Sequence, residues 1–236
     1  SHVGNSKGYH YNCTFNGASG ASNGIGYNQS PLGSYFEGCK FVPFFSGQTL
    51  ASYKCTFKNC QVGKLDSRVV LFANVGFGDF GEFEDCYMNT SMDLWQYFSF
   101  TRCYGRFSGR CRGDDTATPK SLIKNCVFVG SATGLTRGLT WSNNYTAGDY
   151  DGRPVIIKDS VIMNYSKAIG ETYDANQISF FNATSRVDYC NLYNNTTDII
   201  AGITSTSNLI DVNPLLAGDY ANSMVHTSTT NPLKKI

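Results

Sequence analysis

The segment Phe83-Glu-Asp-Cys-Tyr-Met88 decides the fold, because seven further segments of this 236-residue chain align with it position by position. Most share an apolar residue, a polar residue, a turn-forming residue, a cysteine, a variable residue and a second apolar residue. The other seven are His10-Tyr-Asn-Cys-Thr-Phe15, Phe36-Glu-Gly-Cys-Lys-Phe41, Phe57-Lys-Asn-Cys-Gln-Val62, Phe100-Thr-Arg-Cys-Tyr-Gly105, Ile123-Lys-Asn-Cys-Val-Phe128, Ile157-Lys-Asp-Ser-Val-Ile162 and Val187-Asp-Tyr-Cys-Asn-Leu192. They recur every 17 to 34 residues. A strand-sized unit that recurs every ~20–50 residues without a helical period predicts a β-solenoid.

Alternation along each unit predicts which side chains form the core. The first apolar residue, the cysteine and the last apolar residue point inward, and stacking turns each of these positions into a column. Asn, Asp or Gly makes the corner before the cysteine, because these residues tolerate left-handed backbone dihedrals. The departures from the pattern are His10, which we expect to fill a slot held elsewhere by Phe, together with Gly105, Ser160, Arg102 and Tyr189.

The nine cysteines do not predict a disulfide framework. Seven of them occupy the same inward position, where cysteine acts as a small apolar residue. An odd count and the Cys55-x4-Cys60 spacing also fit poorly with a paired framework or a zinc knuckle. We therefore expect free buried thiols and a reducing folding compartment. The Asn-x-Ser/Thr sequons, such as Asn12 and Asn195, favour the alternative of a secretory route.

The composition excludes several classes of function. Charged residues make up 16% of the chain and the net charge is +1, so no basic footprint indicates a nucleic-acid partner. No apolar run approaches the length needed to span a membrane. Plentiful Gly, Asn, Ser, Thr and Tyr suit a turn-rich β protein.

The repeat defines the domain organisation. Residues 3–200 are predicted to form the solenoid, and residues 201–236 to form a C-terminal cap and tail, because the last coil of a solenoid exposes unpaired strand edges. Insertions interrupt the repeat, and we expect loops at 17–34, 106–121, 130–152 and 164–176. In repeat proteins such insertions often line the binding face.

With its Asn/Asp-Cys units at coil spacing, the chain resembles the pectin-lyase-like superfamily, over about residues 8–200. Asn213-Pro-Leu-Leu-Ala-Gly-Asp-Tyr220 is also similar to the closing segment of many bacterial and phage members. The resemblance implies an all-β, single-stranded right-handed parallel β-helix with loop insertions and a C-terminal cap. It implies an extended polysaccharide as partner, with lyase or hydrolase activity in many members, and it allows a homotrimer. Buried cysteines and abundant Tyr and Asn favour the phage tailspike branch, a virion tail protein folded in a reducing host cytoplasm; the alternative is a secreted protein.

Carboxylates near arginines are the candidates for chemistry. Glycoside hydrolysis uses two carboxylates ~5–9.5 Å apart, and a lyase needs a base with a cation that neutralises the sugar acid. The segment 106–115 carries three arginines and two aspartates. Our candidates are Asp114 or Asp115 as general base and Arg110 or Arg112 as the holder of an acidic sugar. Asp79 with Glu82 is a further pair. The alternative for each cluster is a solvated loop, and the sequence matches no catalytic pattern of the family.

Aromatic residues suggest a binding surface. Tyr87 and Tyr104 follow the cysteine in consecutive units and should lie side by side on one outer face. Flat aromatic platforms stack on sugar rings, whereas cross-strand packing under a loop is the alternative. The expected ligand-binding set consists of Tyr87, Tyr104, Trp95, Trp141, Arg106, Asp149, Asp151 and Arg153. No metal or cofactor is expected. In contrast, the outward Glu37, Lys58 and Glu84 predict a charge-complementary structural ladder.

Two classes of function remain open. The first is recognition, and in some members depolymerisation, of a bacterial surface or capsular polysaccharide. The second is a non-catalytic structural fibre or adhesin segment, for which a flat apolar outer face of ~800 Å² per partner would argue.

Overall fold

A computed structural model describes residues 8–16, 34–42, 49–51, 55–62, 69–72, 80–95, 97–112, 121–130, 137–141, 155–172, 185–199 and 203–214. All regular structure in these residues is β-strand, and all strand pairs are parallel. No helix in this part of the chain is long and apolar enough to cross a membrane.

The first face is a nine-stranded parallel sheet in which each coil contributes one strand. Its strands in stacking order are β1 (Tyr9–Tyr11), β3 (Tyr35–Glu37), β6 (Thr56–Lys58), β9 (Phe80–Glu84), β11 (Tyr97–Thr101), β13 (Ser121–Lys124), β16 (Val155–Lys158), β19 (Arg186–Asp188) and β22 (Thr204–Thr206). With strands ~4.8 Å apart, this face is about 38 Å long along the stack.

The second and third faces belong to one 14-stranded sheet. The second face consists of β2 (Thr14–Asn16), β4 (Lys40–Val42), β7 (Gln61–Val62), β10 (Tyr87–Trp95), β12 (Tyr104–Arg112), β14 (Val127–Val129), β17 (Val161–Met163), β20 (Asn191–Tyr193) and β23 (Leu209–Ile210). The third face consists of β5 (Thr49–Ala51), β8 (Val69–Phe72), β15 (Arg137–Trp141), β18 (Lys167–Thr172) and β21 (Thr197–Ile199). The C-terminal halves of β10 and β12 continue onto this face and pair with β8 and β15.

The predicted single-stranded parallel β-helix is confirmed by this topology. Its coils wind right-handed, the sense that nearly all parallel crossover connections take. Both sheets continue past residue 200, because β22 and β23 form a ninth coil on top of β19 and β20. Two expected loops contain third-face strands instead, β15 within 130–152 and β18 within 164–176, since each pairs in parallel with its neighbours.

The corner before the cysteine has the same backbone conformation in all nine coils. Its residue has a φ between 51° and 64° at each of Asn12, Gly38, Asn59, Asp85, Arg102, Asn125, Asp159, Tyr189 and Ser207. The corner amide donates to a carbonyl of the next coil, as from Asn59 N to Glu84 O at 2.9 Å. The left-handed corner is therefore confirmed, and it also holds at Arg102 and Tyr189, which depart from the preferred residue types.

Replacing Tyr189 with asparagine is expected to stabilise the protein by about 0.5–1 kcal/mol. Asparagine tolerates the left-handed conformation that tyrosine adopts here at φ 54°, and the tyrosine ring is 62% exposed, so little packing is lost. Urea unfolding measures the difference. Arg102→Asn is the matched control with no expected gain, because Arg102 forms ion pairs with Glu84 and Asp85. A lower stability for Tyr189→Asn would contradict the argument.

Inward side chains form the predicted columns. His10, Phe36, Phe57, Phe83 and Phe100 stack face to face with ring centroids 4.7 to 5.0 Å apart, and Ile123, Ile157 and Val187 continue this column in the later coils. The expectation that His10 replaces Phe is confirmed by its 4.8 Å stacking on Phe36.

The cysteine column is also confirmed. The backbone amide that follows each column residue donates to the carbonyl of the column residue one coil earlier, as Tyr87 N does to Cys60 O at 2.9 Å. Ser160 takes the place of cysteine and accepts the Cys126 amide at 3.0 Å, and Asn208 accepts the Cys190 amide at 2.8 Å in the ninth coil. Cys55 is buried at a separate inward position before β6. The eight cysteines whose side chains the structure describes are free thiols.

The thiols of Cys39 and Cys190 predict a loss of stability at alkaline pH. Burial raises the pKa of Cys39 to about 11 and of Cys190 to about 12, whereas an unfolded thiol titrates near ~8.5. The contribution of these thiols is complete below about pH 8.5 and is lost as pH rises toward 11 and beyond. Unfolding in denaturant at about pH 8 and about pH 10.5 should show the fall. Cys190→Ser should show a smaller one, and an equal fall in that variant would contradict the assignment.

Candidate functional site

Three tyrosines form an exposed aromatic patch on the first face, at the first two coils. Tyr9 and Tyr11 flank the inward His10 on β1, so alternation turns both outward, and Tyr35 lies opposite Tyr9 on β3. The Tyr35 ring centroid is 6.1 Å from that of Tyr9 and 6.2 Å from that of Tyr11. Tyr9 is 77% exposed and Tyr11 is 56% exposed. We call these three residues the tyrosine patch.

A carboxylate borders the tyrosine patch. Glu37 lies opposite Tyr11 in the register, and its Oε2 accepts a hydrogen bond from the Tyr35 hydroxyl at 3.1 Å. Partial burial first, and this carboxylate second, raise the pKa of Tyr35, so the phenol stays protonated and continues to donate. Glu37 forms no ion pair with any residue that the structure describes. The patch therefore combines exposed ring faces with a carboxylate that has no ion-pair partner within 4 Å among the described residues.

Beyond Glu37 the same face carries neutralised charges. Lys58 Nζ lies 3.6 Å from Glu84 Oε2, Arg102 also contacts Glu84, and Arg102 Nε lies 2.9 Å from Asp85 Oδ1. The ladder predicted from Glu37, Lys58 and Glu84 is confirmed for its Lys58–Glu84 step. Lys58 is the register partner of both Glu37 and Glu84, but its ammonium group lies within ion-pair distance of Glu84 and not of Glu37.

Tyr87 and Tyr104 lie side by side as predicted, but they do not form an open platform. They pair in the register of β10 and β12, with ring centroids 5.5 Å apart in an edge-on arrangement. Their exposed fractions are 0% and 5%, and they share an outer apolar cluster with Val127 and Val129. Burial raises the pKa of Tyr87 to about 12. Because both rings are buried, the face that they share is not open for a sugar ring to stack on.

The arginines predicted to lie on a loop belong to a strand. Arg106, Arg110 and Arg112 are in β12, which pairs with β10 in continuous register from Tyr87↔Tyr104 to Trp95↔Arg112. The expected loop at 106–121 is therefore wrong up to residue 112. Asp114 and Asp115 lie outside the described residues, as do Asp79, Asp149, Asp151 and Arg153.

The register brings three predicted site residues to one end of the third face. Trp95 lies opposite Arg112, and Trp141 lies opposite Cys111, next to Arg112 on the same strand. The two tryptophans therefore end strands on either side of β12. Sequence spacing alone did not indicate this meeting, because it requires β10 and β12 to run on from the second face to the third.

The described residues contain no group of three or more His, Cys, Asp or Glu side chains arranged to hold a metal ion. Of the predicted catalytic set, Arg110 and Arg112 lie together on β12, whereas Asp114 and Asp115 lie outside the described residues. The tyrosine patch and Glu37 are suited to binding a ligand through ring faces, phenol hydroxyls and a carboxylate.

Comparison with known proteins assigns no family. No family model matches the chain, and no curated protein matches it. Among solved structures, the chain is similar to a trypsin-treated variant of QnrB1, a plasmid-mediated fluoroquinolone resistance protein. The two are 13% identical over 87% of this chain and 90% of that chain, with a TM-score of 0.29. A likeness at this level carries no argument about function, and the fold rests on the strand pairing described above.

Proposed function

We propose that this protein recognises an extended carbohydrate, such as a bacterial surface or capsular polysaccharide, on the outer side of its first face. The observation that carries the proposal is the tyrosine patch. Tyrosine combines a flat apolar ring with a polar hydroxyl, and at Tyr9 and Tyr11 both stand in solvent beside the Glu37 carboxylate. Ring faces that stack on sugars, next to groups that bond their hydroxyls, are what such a ligand requires.

The dimensions of the face support an extended ligand. Nine parallel strands give a surface about 38 Å long that runs from the tyrosine patch along the coil axis. Polar side chains continue along it at Thr56, Glu82 and Lys58, where Thr56 Oγ1 donates to Glu82 at 3.3 Å. A chain of several sugar units can therefore lie along the face while its end stacks on the patch.

The alternative of a structural fibre has less support in the described residues. That function calls for a flat apolar outer face open to a partner. The apolar outer cluster of the second face, Tyr87, Tyr104, Val127 and Val129, is buried within the chain itself. Free, buried thiols suit folding in a reducing host cytoplasm. They therefore favour a phage tailspike or fibre domain as the kind of protein that carries out this recognition.

A glycan array probed with the wild-type protein tests the proposal. The double variant Tyr9→Ala with Tyr11→Ala should lose about 5- to 150-fold in affinity, since each aromatic contact contributes about 0.5–1.5 kcal/mol. Tyr189→Ala is the matched control, because Tyr189 is an exposed tyrosine at the corner of the eighth coil. Unchanged binding in the double variant, or no binding of any saccharide by the wild type, would refute the proposal.

A further inference from the structure

The tyrosine patch has a charge that distinguishes among carbohydrates. Its one acidic group, Glu37, has no cationic partner among the residues that the structure describes, whereas Glu84 contacts both Lys58 and Arg102. The aromatic faces that surround it also attract positive charge, because the ring quadrupole is negative on its face. Both components of the patch therefore favour a cation and disfavour an anion.

We propose that the tyrosine patch selects an amino sugar, a hexosamine unit with a free protonated amine, over neutral and acidic sugars. This inference rests on the proposed function and narrows its ligand class. The sugar ring stacks on Tyr9 or Tyr11, and the ammonium group lies between the ring faces and the Glu37 carboxylate. It also replaces the expectation of an acidic sugar held by arginines, because Arg110 and Arg112 belong to a strand of another face.

The geometry places the two attractive components within one sugar unit of each other. Tyr11 and Glu37 are register partners on adjacent strands, which lie ~4.8 Å apart. Tyr35 fixes the carboxylate through its hydroxyl at 3.1 Å, so the charge does not have to be ordered when the ligand binds. Because the site is exposed to solvent, the electrostatic contribution to the binding free energy is modest and is weakened by salt.

The expected selectivity follows from these contributions. Relative to a neutral oligosaccharide of equal length, a glucosamine hexamer gains an exposed cation–π contact and an exposed ion pair, together equivalent to about a 3- to 30-fold tighter Kd. The gain should shrink at high salt. It depends on the negative charge of the Glu37 carboxylate, which Glu37→Gln removes.

Calorimetric titration at about pH 5.5 with three probes tests the inference: glucosamine hexamer, N-acetylglucosamine hexamer and cellohexaose. Glu37→Gln keeps the acceptor for Tyr35 and removes the charge, and it should bind all three probes alike. Asp188→Asn is the matched control, because Asp188 is a carboxylate on the same face that already pairs with Arg186. This control should keep the wild-type preference.

Each outcome decides a distinct point. A preference for the glucosamine hexamer that disappears in Glu37→Gln supports the inference. Equal binding of the three probes, or a preference that survives in Glu37→Gln, overturns the inference and leaves carbohydrate recognition intact. Pentalysine is titrated under the same conditions as a peptide control. If it binds as tightly as the glucosamine hexamer, the inference is overturned, because the patch would then recognise charge on a peptide. Absence of binding to any saccharide overturns the inference together with the proposed function.

Discussion

Replacing Phe83 with alanine is expected to lower the free energy of unfolding by about 3–5 kcal/mol, the usual cost of truncating a buried phenylalanine. The Phe83 ring lies between two others, 4.7 Å from Phe57 and 4.8 Å from Phe100, with interplanar angles of 4° and 12°. Removing it opens a cavity that the stacked neighbours cannot fill, because the strand register fixes their separation.

Denaturant unfolding with matched circular dichroism and fluorescence transitions measures this loss. Tyr11→Ala is the control of the same type, since it removes an aromatic ring from the outer side of the first face, where 56% of the residue is already in solvent. We expect less than about 1 kcal/mol for the control. A loss below about 1 kcal/mol for Phe83→Ala would mean that the inward column is not the core of the domain.

Gly105→Ala is expected to lower the free energy of unfolding by about 2–5 kcal/mol, from backbone strain and overpacking together. Gly105 has a φ of 128°, and a Cβ at this position would lie 2.0 Å from the Met88 carbonyl oxygen. This contact cannot relax by side-chain movement, because Gly105 and Met88 both belong to the paired backbone of β10 and β12.

Gly38→Ala provides the matched control for this substitution. Gly38 also has a positive φ, 64°, but its new Cβ would meet chiefly the Asn12 side chain, which can turn away. The control should therefore cost only the left-handed backbone term of about 1–2 kcal/mol. Equal losses in the two variants would show that the approach to Met88 has no effect of its own.

The sequence predicted the coils well because the period-two pattern and the corner chemistry are local properties. Arg102 and Tyr189 were departures from the residue preference, yet they adopt the corner conformation, since hydrogen bonds from neighbouring coils impose it. The ninth coil was not predicted from the sequence, because Ser207 replaces the usual Asn or Asp at the corner and Asn208 replaces the cysteine. Asn208 nevertheless accepts the Cys190 amide, as Ser160 accepts that of Cys126.

Gly105 illustrates a departure that only packing explains. The column of last apolar residues contains Met88 before it and Phe128 after it, so the pattern required a large side chain. Phe107, two residues further along β12, supplies the ring instead, with centroids 4.5 Å from Phe128 and 5.1 Å from Phe100. The six-residue motif does not predict that Phe107 fills the space left by Gly105, because Phe107 lies beyond the end of the motif.

The candidate site was predicted least well. The period-two alternation of a strand predicts whether a side chain points to the core or to the outer side of the sheet, but it does not predict whether an outward side chain is exposed to solvent. Tyr87 and Tyr104 have the predicted register and are nevertheless buried. The tyrosine patch had a signal in the sequence, since Tyr9, Tyr11 and Tyr35 occupy outward positions next to His10 and Phe36. The charge at the patch depends on which carboxylate pairs with Lys58, and only the structure shows that this carboxylate is Glu84.

The change of core composition along the stack has a consequence for how the molecule comes apart. Five stacked rings occupy one column in the first five coils, whereas Ile123, Ile157 and Val187 occupy it in the next three. In a linear array, where every coil touches only its neighbours, stability is a sum of local and nearest-neighbour contributions. Under native conditions, local opening should therefore begin among the aliphatic coils and reach the aromatic coils last, which gives graded hydrogen exchange along the axis.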